Sequence, residues 1–449
     1  MKMIREILHH HKMGKAVGMY SICSSHPFVL RAAMRQALRD NSHLLIESTS
    51  NQVDQFGGYT GQTPAQFIAM VREIARSEKL PADRLIFGGD HLGPNVWQRE
   101  PAASAMGKAR DQIAAYVAAG YRKIHLDTSM RCADDPGGAH SPLAPETIAE
   151  RAAELCEISE KAFREAAAGD MPPVYIIGTE VPIPGGAQEA LSDLAITTPQ
   201  NARATIEITQ KAFYARNLHD AWQRVIGVVV QPGVEFGDDT VVDYHRAKAA
   251  ELSALIEQYP GLVFEAHSTD YQSRANLREL VEDHFAILKV GPWLTFAMRE
   301  ALFALEMMEQ QWLSGSKSVQ LSRLREVLNG VMRHQPKYWQ HHYHGSDAAI
   351  DYALMFSYSD RIRYYWPMPE VQQAIGQLIA NLTSHPLPLT LISQFLPTQY
   401  QHLREQLITN SPVDIIIDKI MQVTEIYAFA TAAANGTAIV THVNRGENL

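Results

Sequence analysis

The sequence predicts an α/β protein built on a closed (β/α)8 barrel, a TIM barrel, with an additional helical region on its C-terminal side. Eight short apolar runs, rich in β-branched residues, occur in the first 291 residues, and each ends in glycine or polar residues. Segments rich in Ala, Glu, Leu, Lys and Arg at helical spacing separate many of them. Eight strands alternating with helices are typical of a closed parallel barrel. An open doubly wound sheet is disfavoured because no glycine-rich phosphate turn follows the first strand.

The elements follow in order along the chain. The predicted strands cover residues 17–23, 43–49, 84–90, 123–129, 174–180, 225–232, 262–268 and 285–291. The predicted barrel helices cover residues 64–79, 102–119, 145–168, 198–217 and 244–259. Helical patterns without intervening strands then cover residues 295–313, 319–332, 369–382 and 413–434. We therefore expect a barrel over residues 1–294, a helical extension packed on it over residues 295–434, and a flexible tail over residues 435–449.

Composition and charge limit the class of protein. Hydrophobic residues make up 46% and charged residues 20% of the 449 residues, which is typical of globular proteins. The formal net charge of -9 gives no electrostatic reason to expect a nucleic-acid or anionic membrane partner. The three cysteines form no CxxC pair, and no run approaches the roughly 20 apolar residues of a membrane helix. We expect a cytoplasmic protein.

The predicted strand ends carry polar side chains throughout. The third strand and its loop, LIFGGDHLGPN at residues 85–95, place Asp90 beside His91. Other strands end at Glu47, Asp127, Glu180 and Lys289. Catalytic residues of such barrels lie at these carboxyl ends, and gathering unpaired charges there would cost several kcal/mol. The pattern favours a site that binds a cation or substrate, although a local cap or ion pair could explain any one residue.

A divalent metal site is one expectation. His91 and His267 could bind a Zn or Mn ion together with a carboxylate such as Glu47 or Glu180, because these metals accept imidazole and carboxylate ligands. The ion would hold a ketose by its carbonyl and hydroxyl oxygens, and the remaining carboxylates would transfer protons.

Further polar residues are candidates for substrate binding. The loop at residues 51–61 offers amides and glycine backbone donors suited to a polyol or phosphate, although it could equally be a tight turn. The eighth strand ends where barrels often bind phosphate. Two later arginines, Arg361 and Arg363, are less easily explained as part of a helical core and could bind a terminal phosphate. The candidates are Glu47, Asn51, Gln52, Gly57, Gly58, Gln231, Ser268, Lys289, Gly291, Arg361 and Arg363.

Seven motifs give the sequence a family resemblance. They are ESTSNQVDQFGGYTG (47–61), GGDHLGPN (88–95), KIHLD (123–127), GTEVP (178–182), VVQPGVEF (229–236), FEAHSTDYQ (264–272) and YSDR (358–361). Together they resemble the Z-type, so-called non-catalytic, subunit of bacterial D-tagatose-1,6-bisphosphate aldolase, from about residue 12 to about residue 417. The resemblance implies an oligomeric (β/α)8 barrel that associates with a separate class II aldolase subunit. That subunit would need it for full activity and stability in galactitol and N-acetylgalactosamine catabolism.

The resemblance also implies an alternative activity. Class II aldolases, which the chain resembles more remotely, bind zinc through three histidines; His91 and His267 match two positions, and Gln231 stands where another histidine would be expected. Some proteins resembling this family are ketose 4-epimerases, for which Asp90 and Glu180 would transfer protons with Asp127 in support. Two hypotheses remain: an accessory subunit of an aldolase, and a metal-dependent epimerase of a ketose or ketose phosphate.

Overall fold

We analysed a computed structural model that describes residues 2–137, 142–166, 171–181 and 194–432. The predicted flexible tail, residues 435–449, lies outside the described residues. The segment after the fifth strand is described as far as residue 181 and again from residue 194.

Eight parallel strands close into a barrel, which confirms the predicted fold class. In chain order each strand pairs with the next, and the last pairs with the first, where Ser21 lies opposite Lys289. All eight strands are almost entirely buried, which explains their continuous apolar runs. The strands are β1 (Met19–Ile22), β2 (Leu44–Thr49), β3 (Leu85–Leu92), β4 (Lys123–Leu126), β5 (Val174–Ile177), β6 (Val225–Val230), β7 (Val263–Ala266) and β8 (Ile287–Val290).

The third strand is irregular at its carboxyl end. Its pairing register with β4 shifts between Gly89 and Leu92, and His91 has a positive φ of 50°. Regular strands send successive side chains to opposite faces, whereas a bulge can re-aim one of them. The irregularity therefore explains how adjacent Asp90 and His91 both reach the same cluster of buried side chains.

Helices surround the barrel. They are α1 (Lys2–Lys12), α2 (Pro27–Asp40), α3 (Pro64–Glu78), α4 (Ala102–Ala119), α5 (Pro145–Ala166), α6 (Pro199–Ala215), α7 (His219–Trp222), α8 (Arg246–Ile256), α9 (Arg274–Glu282), α10 (Pro292–Leu313), α11 (Leu324–His334), α12 (Asp347–Phe356), α13 (Pro369–Ser384), α14 (Leu389–Phe395), α15 (Pro397–Arg404) and α16 (Pro412–Thr431). Short 3-10 turns lie at Ala82–Arg84, Pro94–Trp97, Pro336–Tyr338 and Arg361–Tyr364, and a two-stranded antiparallel hairpin joins Glu235–Phe236 to Val241–Val242.

The core has an inner and an outer part. Apolar side chains from the strands fill the barrel interior, and Ile4 and Leu8 of α1 belong to the same inner cluster. A larger cluster lies between the strands and the helices, and it continues without a break into the C-terminal helices through residues such as Ile416 and Ile420 of α16. Helix α1 thus closes the barrel at the end opposite the strands' carboxyl termini.

The last described helix belongs to the layer of helices around the barrel. Helix α16 packs against α2, α9 and α10. The Gly18 amide donates to the Thr431 carbonyl at 2.9 Å, and the Tyr427 hydroxyl donates to the Thr269 carbonyl at 2.8 Å. The boundary predicted at residues 294 and 295 falls inside α10 and stays a prediction. Within the described part of the chain, every helix is too short or too polar to cross a membrane.

Candidate active site

Three imidazoles and one carboxylate form a buried cluster at the carboxyl end of the barrel. Asp90 and His91 come from β3, His125 from β4, and His267 directly follows β7. One potential ligand atom from each residue lies within 4.8 Å of the others, and each residue is at most 4% exposed. The His91 ring centroid lies 5.1 Å from that of His125 and 4.9 Å from that of His267. We call these four residues the histidine cluster.

Carboxylates orient two of the rings. Asp127 Oδ2 lies 2.7 Å from His91 Nδ1, and Glu265 Oε1 lies 3.0 Å from His267 Nε2. Burial disfavours a charged His91 ring, but the carboxylates of Asp90 and Asp127 outweigh it and raise the His91 pKa to about 9. A cation bound by that ring would replace the proton, because a histidine ligand must be unprotonated. Carboxylates that hold ligating histidines are common partners in metal sites.

The third ring has a free nitrogen. His125 Nδ1 accepts the His91 amide at 3.2 Å and lies 3.1 Å from Asp90 Oδ1, whereas the buried Nε2 atom has no hydrogen-bond partner among the described residues. A buried polar atom without a partner is costly, and a substrate acceptor, or a bound cation that replaces the ring proton, would satisfy it. The donor set of imidazole nitrogens and one carboxylate therefore fits a Zn or Mn ion.

A layer of ion pairs adjoins the histidine cluster. The Lys123 ammonium lies 2.6 Å from carboxylate oxygens of both Glu47 and Glu265. The Lys289 ammonium lies 2.8 Å from Asp90 and also contacts Glu47. All five side chains are at least 95% buried, and burial lowers the pKa of Lys289 to about 8.

The local charges do not balance. The four carboxylates of Glu47, Asp90, Asp127 and Glu265 face only two ammonium groups in this region. Basic neighbours hold the pKa of three of them, Asp90, Asp127 and Glu265, well below the usual range despite burial. A divalent cation that replaced the His91 proton would compensate the two negative charges that then remain.

A cavity of about 70 Å³, which we call the cluster cavity, opens onto the histidine cluster. It brings together many of the residues predicted from the sequence. Those that line it are Asn51, Gln52, Asp90, His91, His267, Ser268, Lys289, Gly291 and Arg363. Other lining side chains include Cys23, Tyr59, Asp270 and Tyr364.

Other predicted site residues do not line the cluster cavity. Glu180 is exposed and accepts hydrogen bonds from Thr197 at 2.7 Å and Asn201 at 2.6 Å. The Gln231 side chain accepts from the amides of Gly233 and Val234, which shapes the loop after β6. Arg361 donates to the Tyr338 carbonyl at 3.1 Å. The catalytic role of Glu180 and the binding roles of Gln231 and Arg361 stay predictions.

Two predicted backbone donors are used within the protein. Gly58 has a φ of 56°, and its amide donates to Asp54 Oδ1 at 3.0 Å, so it serves the turn that also contains Gly57. The Gly291 amide donates to Asp270 Oδ1 at 3.0 Å. Burial raises the pKa of Asp270 to about 6. A phosphate bound to the Gly291 amide would have to displace this carboxyl group.

Glu47 occupies a different place from the one expected of a metal ligand. Its carboxylate pairs with Lys123 and Lys289 and is not among the four residues of the histidine cluster. It does lie close enough to Cys23 and Asp90 to form a second group of potential ligand atoms. Its role as a metal ligand stays a prediction.

Three residues of the site, Lys123, His125 and Glu265, were not among those predicted from the sequence. The signal is the two-residue period of a strand: Lys123, His125 and Asp127 alternate along β4 and its end, and Glu265 and His267 do so along β7. The third imidazole of the cluster comes from His125 on β4. The position after β6, where a third histidine would be expected, is occupied by Gln231.

Comparison with known proteins agrees with the resemblance seen in the motifs. A model of the D-tagatose-1,6-bisphosphate aldolase subunit GatZ/KbaZ-like family matches residues 4–432. The chain belongs to the GatZ/KbaZ-like family. A crystal structure of a probable tagatose 6-phosphate kinase from Sinorhizobium meliloti 1021 is 44% identical, with a TM-score of 0.83 over 92% of this chain and 100% of that one.

More distant solved structures also match this GatZ/KbaZ-like chain. The fructuronate-tagaturonate epimerase UxaE from Cohnella laeviribosi is 12% identical, with a TM-score of 0.47 over 93% of this chain and 82% of that one. The fructose-bisphosphate aldolase from Campylobacter jejuni is 12% identical, with a TM-score of 0.45 over 84% of this chain and 91% of that one. Similarity at this level carries no information about chemistry.

Proposed function

We propose that this chain is a divalent-metal-dependent ketose 4-epimerase that acts on a ketose phosphate such as D-tagatose 6-phosphate. The observation that carries the proposal is the histidine cluster, in which three imidazoles and Asp90 converge beside a cavity and one imidazole nitrogen has no partner among the described residues. The substrate class is supported by the tagatose 6-phosphate in the name of the relative that is 44% identical.

His91, His125 and His267 would hold the ion, which leaves the neighbouring Asp90 carboxylate for proton transfer. A bound Zn or Mn ion would polarise the ketose carbonyl and stabilise the enediolate that bond cleavage leaves. The chain's own groups then prepare the site: Asp127 fixes the His91 ring, and Glu265 fixes the His267 ring.

The reaction needs a base at the C4 hydroxyl. Asp90 is the candidate for this role because its carboxyl group lines the cluster cavity and is kept ionised by the neighbouring histidines. Asp90 removes the hydroxyl proton, the C3–C4 bond breaks, and the products are the enediolate of dihydroxyacetone and glyceraldehyde 3-phosphate. Rotation of the aldehyde, re-formation of the bond on the other face and return of the proton give the epimer. Glu180 remains a second candidate for proton transfer at the mouth.

The test uses the purified chain with no other protein. D-Tagatose 6-phosphate is incubated with Mn or Zn, and NMR follows D-fructose 6-phosphate and triose products. We expect the epimer to appear and chelator to abolish it, with Asp90→Asn reducing turnover by at least about a hundredfold. Full turnover in both Asp90→Asn and Glu180→Gln would overturn the assigned roles, and no epimer with either metal would overturn the activity.

An accessory role is the second candidate, and family membership favours it. The matched family comprises subunits of D-tagatose-1,6-bisphosphate aldolase, so a class II catalytic subunit is the expected partner, in galactitol or N-acetylgalactosamine catabolism. The test adds this chain to such a subunit and measures cleavage of D-tagatose 1,6-bisphosphate, with size-exclusion chromatography to detect a complex. If wild type and Asp90→Asn stimulate this cleavage equally, the stimulation would depend on the surface of the chain and not on the histidine cluster.

A further inference from the structure

A second cavity of about 300 Å³, which we call the side chamber, adjoins the cluster cavity. The two cavities share six lining residues, Cys23, Gln52, Tyr59, Gly291, Pro292 and Arg363. The side chamber is the larger of the two and extends from these shared residues to His26 and Trp366. A ligand whose reacting atoms lie at the histidine cluster could therefore place its other end in the side chamber.

The side chamber contains buried N–H groups without partners. Trp366 is 1% exposed, and its Nε1 atom has no hydrogen-bond partner among the described residues. The buried Nε2 atom of His26 likewise has none. An indole nitrogen can only donate, so Trp366 requires an acceptor to offset the cost of its burial.

The tautomer of His26 is fixed by its place in the fold. His26 caps α2, and its Nδ1 atom accepts the Phe28 amide at 3.2 Å. Burial lowers the pKa of His26 to about 4, so the ring is neutral at pH 7 and its one proton lies on Nε2. Both unpartnered ring nitrogens of the side chamber are therefore hydrogen-bond donors, and they lie on residues whose ring centroids are 6.5 Å apart.

The charge of the side chamber favours an anion. Arg363 lines it, and none of the described lining residues is Asp or Glu. The N-terminal end of α2 also borders it, at His26 and Pro27, and a helix N-terminus attracts negative charge. The cluster cavity, by contrast, is lined by the carboxyl groups of Asp90 and Asp270.

We propose that the side chamber binds the phosphate of a ketose phosphate, with Trp366 Nε1, His26 Nε2 and Arg363 as its donors. This inference rests on the proposed function for the identity of the sugar end of the ligand. The donors would make the site selective for phosphorylated over free ketoses, because a free sugar leaves them without an anionic acceptor.

Binding is tested with D-glucitol 6-phosphate, which lacks the carbonyl needed for turnover, and with D-glucitol as the unphosphorylated comparison. Titration calorimetry is made on wild type, Trp366→Phe and His26→Asn. Phenylalanine removes the indole donor but retains an aromatic ring, and asparagine retains an oxygen that can cap α2. We expect each variant to bind D-glucitol 6-phosphate about tenfold more weakly, as for loss of one hydrogen bond to a charged group. Trp312→Phe, which replaces an exposed tryptophan outside the chamber, should bind like wild type.

The outcome separates this inference from the proposed function. If a lowered melting temperature shows that Trp366→Phe is unstable, the affinity of His26→Asn for D-glucitol 6-phosphate tests the phosphate site instead. Weaker binding in the chamber variants without any epimerase activity in wild type would leave the phosphate site standing and reject the epimerase. Wild-type affinity in the stable chamber variants, with active epimerase, would reject the phosphate site alone. If wild type is an active epimerase, we expect Trp366→Phe and His26→Asn to have a kcat/KM about tenfold lower than wild type for D-tagatose 6-phosphate. For D-tagatose, which has no phosphate, kcat/KM should equal that of wild type.

Discussion

The Nζ atom of Lys289 lies 2.8 Å from Oδ1 of Asp90, which joins β8 to β3 across the mouth of the barrel. Both residues are at most 4% exposed, and Lys289 also contacts Glu47 of β2. Removing one partner of a buried pair leaves the other charge without compensation. The pair therefore affects folding as well as chemistry.

Lys289→Met should lower the free energy of unfolding by about 3–5 kcal/mol, because Asp90 and Glu47 lose a buried cation. Urea denaturation measures the change. Lys419→Met is the control: Lys419 lies 3.1 Å from Glu300 in a more exposed pair, and its loss should cost no more than about 1 kcal/mol. Similar losses in the two variants would contradict the importance given to the buried pair.

His125→Ala should reduce metal binding. We expect the affinity for Zn or Mn to fall by at least about a hundredfold. Loss of a residue that only orients a metal ligand lowers affinity by about 10- to 100-fold, and this variant loses a ligand itself. Metal content after dialysis, measured by mass spectrometry, checks this. His219→Ala removes an exposed histidine and should retain wild-type metal content. Retention of the metal by His125→Ala would show that the histidine cluster is not the metal site.

The sequence predicted the barrel well because its strands are continuous apolar runs with polar ends. It did not reveal the third imidazole of the site, because the approach of His125 to His91 depends on strand pairing and on the irregular end of β3. The family resemblance directed attention to Gln231, on a different strand end. The alternation of Lys123 and His125 was visible in the sequence, but no local signal told which face of β4 lines the barrel interior.

Glu235 should make stability depend on pH. Burial, with a contribution from the charge of Asp270, raises its pKa from 4.5 to about 7, although hydrogen bonds from the Phe236 amide and Ser268 act in the opposite direction. The folded state thus favours the protonated form. Its stabilising contribution is complete below about pH 4.5 and is lost as the pH rises to about 7.

Glu235→Gln should remove this dependence. Between pH 4.5 and pH 8, the free energy of unfolding of wild type relative to the variant should fall by about 3 kcal/mol, as expected for a pKa raised from 4.5 to about 7. Urea denaturation at the two pH values gives the difference, in which other titrating groups cancel. Exposed Glu207→Gln should show no such change. A constant difference between wild type and Glu235→Gln would contradict the raised pKa.

Asp360 anchors the turn that carries Arg363. Its carboxylate accepts a hydrogen bond from Thr295 at 2.5 Å and lies 3.1 Å from a guanidinium nitrogen of Arg299, and both charged residues are at least 98% buried. Asp360 has a φ of 48°, which asparagine also tolerates. Asp360→Asn therefore tests the charge with little change to the backbone.

We expect Asp360→Asn to lower the free energy of unfolding by about 3–5 kcal/mol, because Arg299 remains buried and charged without its partner. Adding Arg299→Met should restore part of that loss, since the unpaired charge is then removed. Urea denaturation of both single variants and the double variant forms the cycle that isolates the pair. If the double variant loses the full sum of the single losses, the two residues act independently and the anchor lies elsewhere. A positive coupling would instead identify the pair as the link through which α10 holds Arg363 beside both cavities.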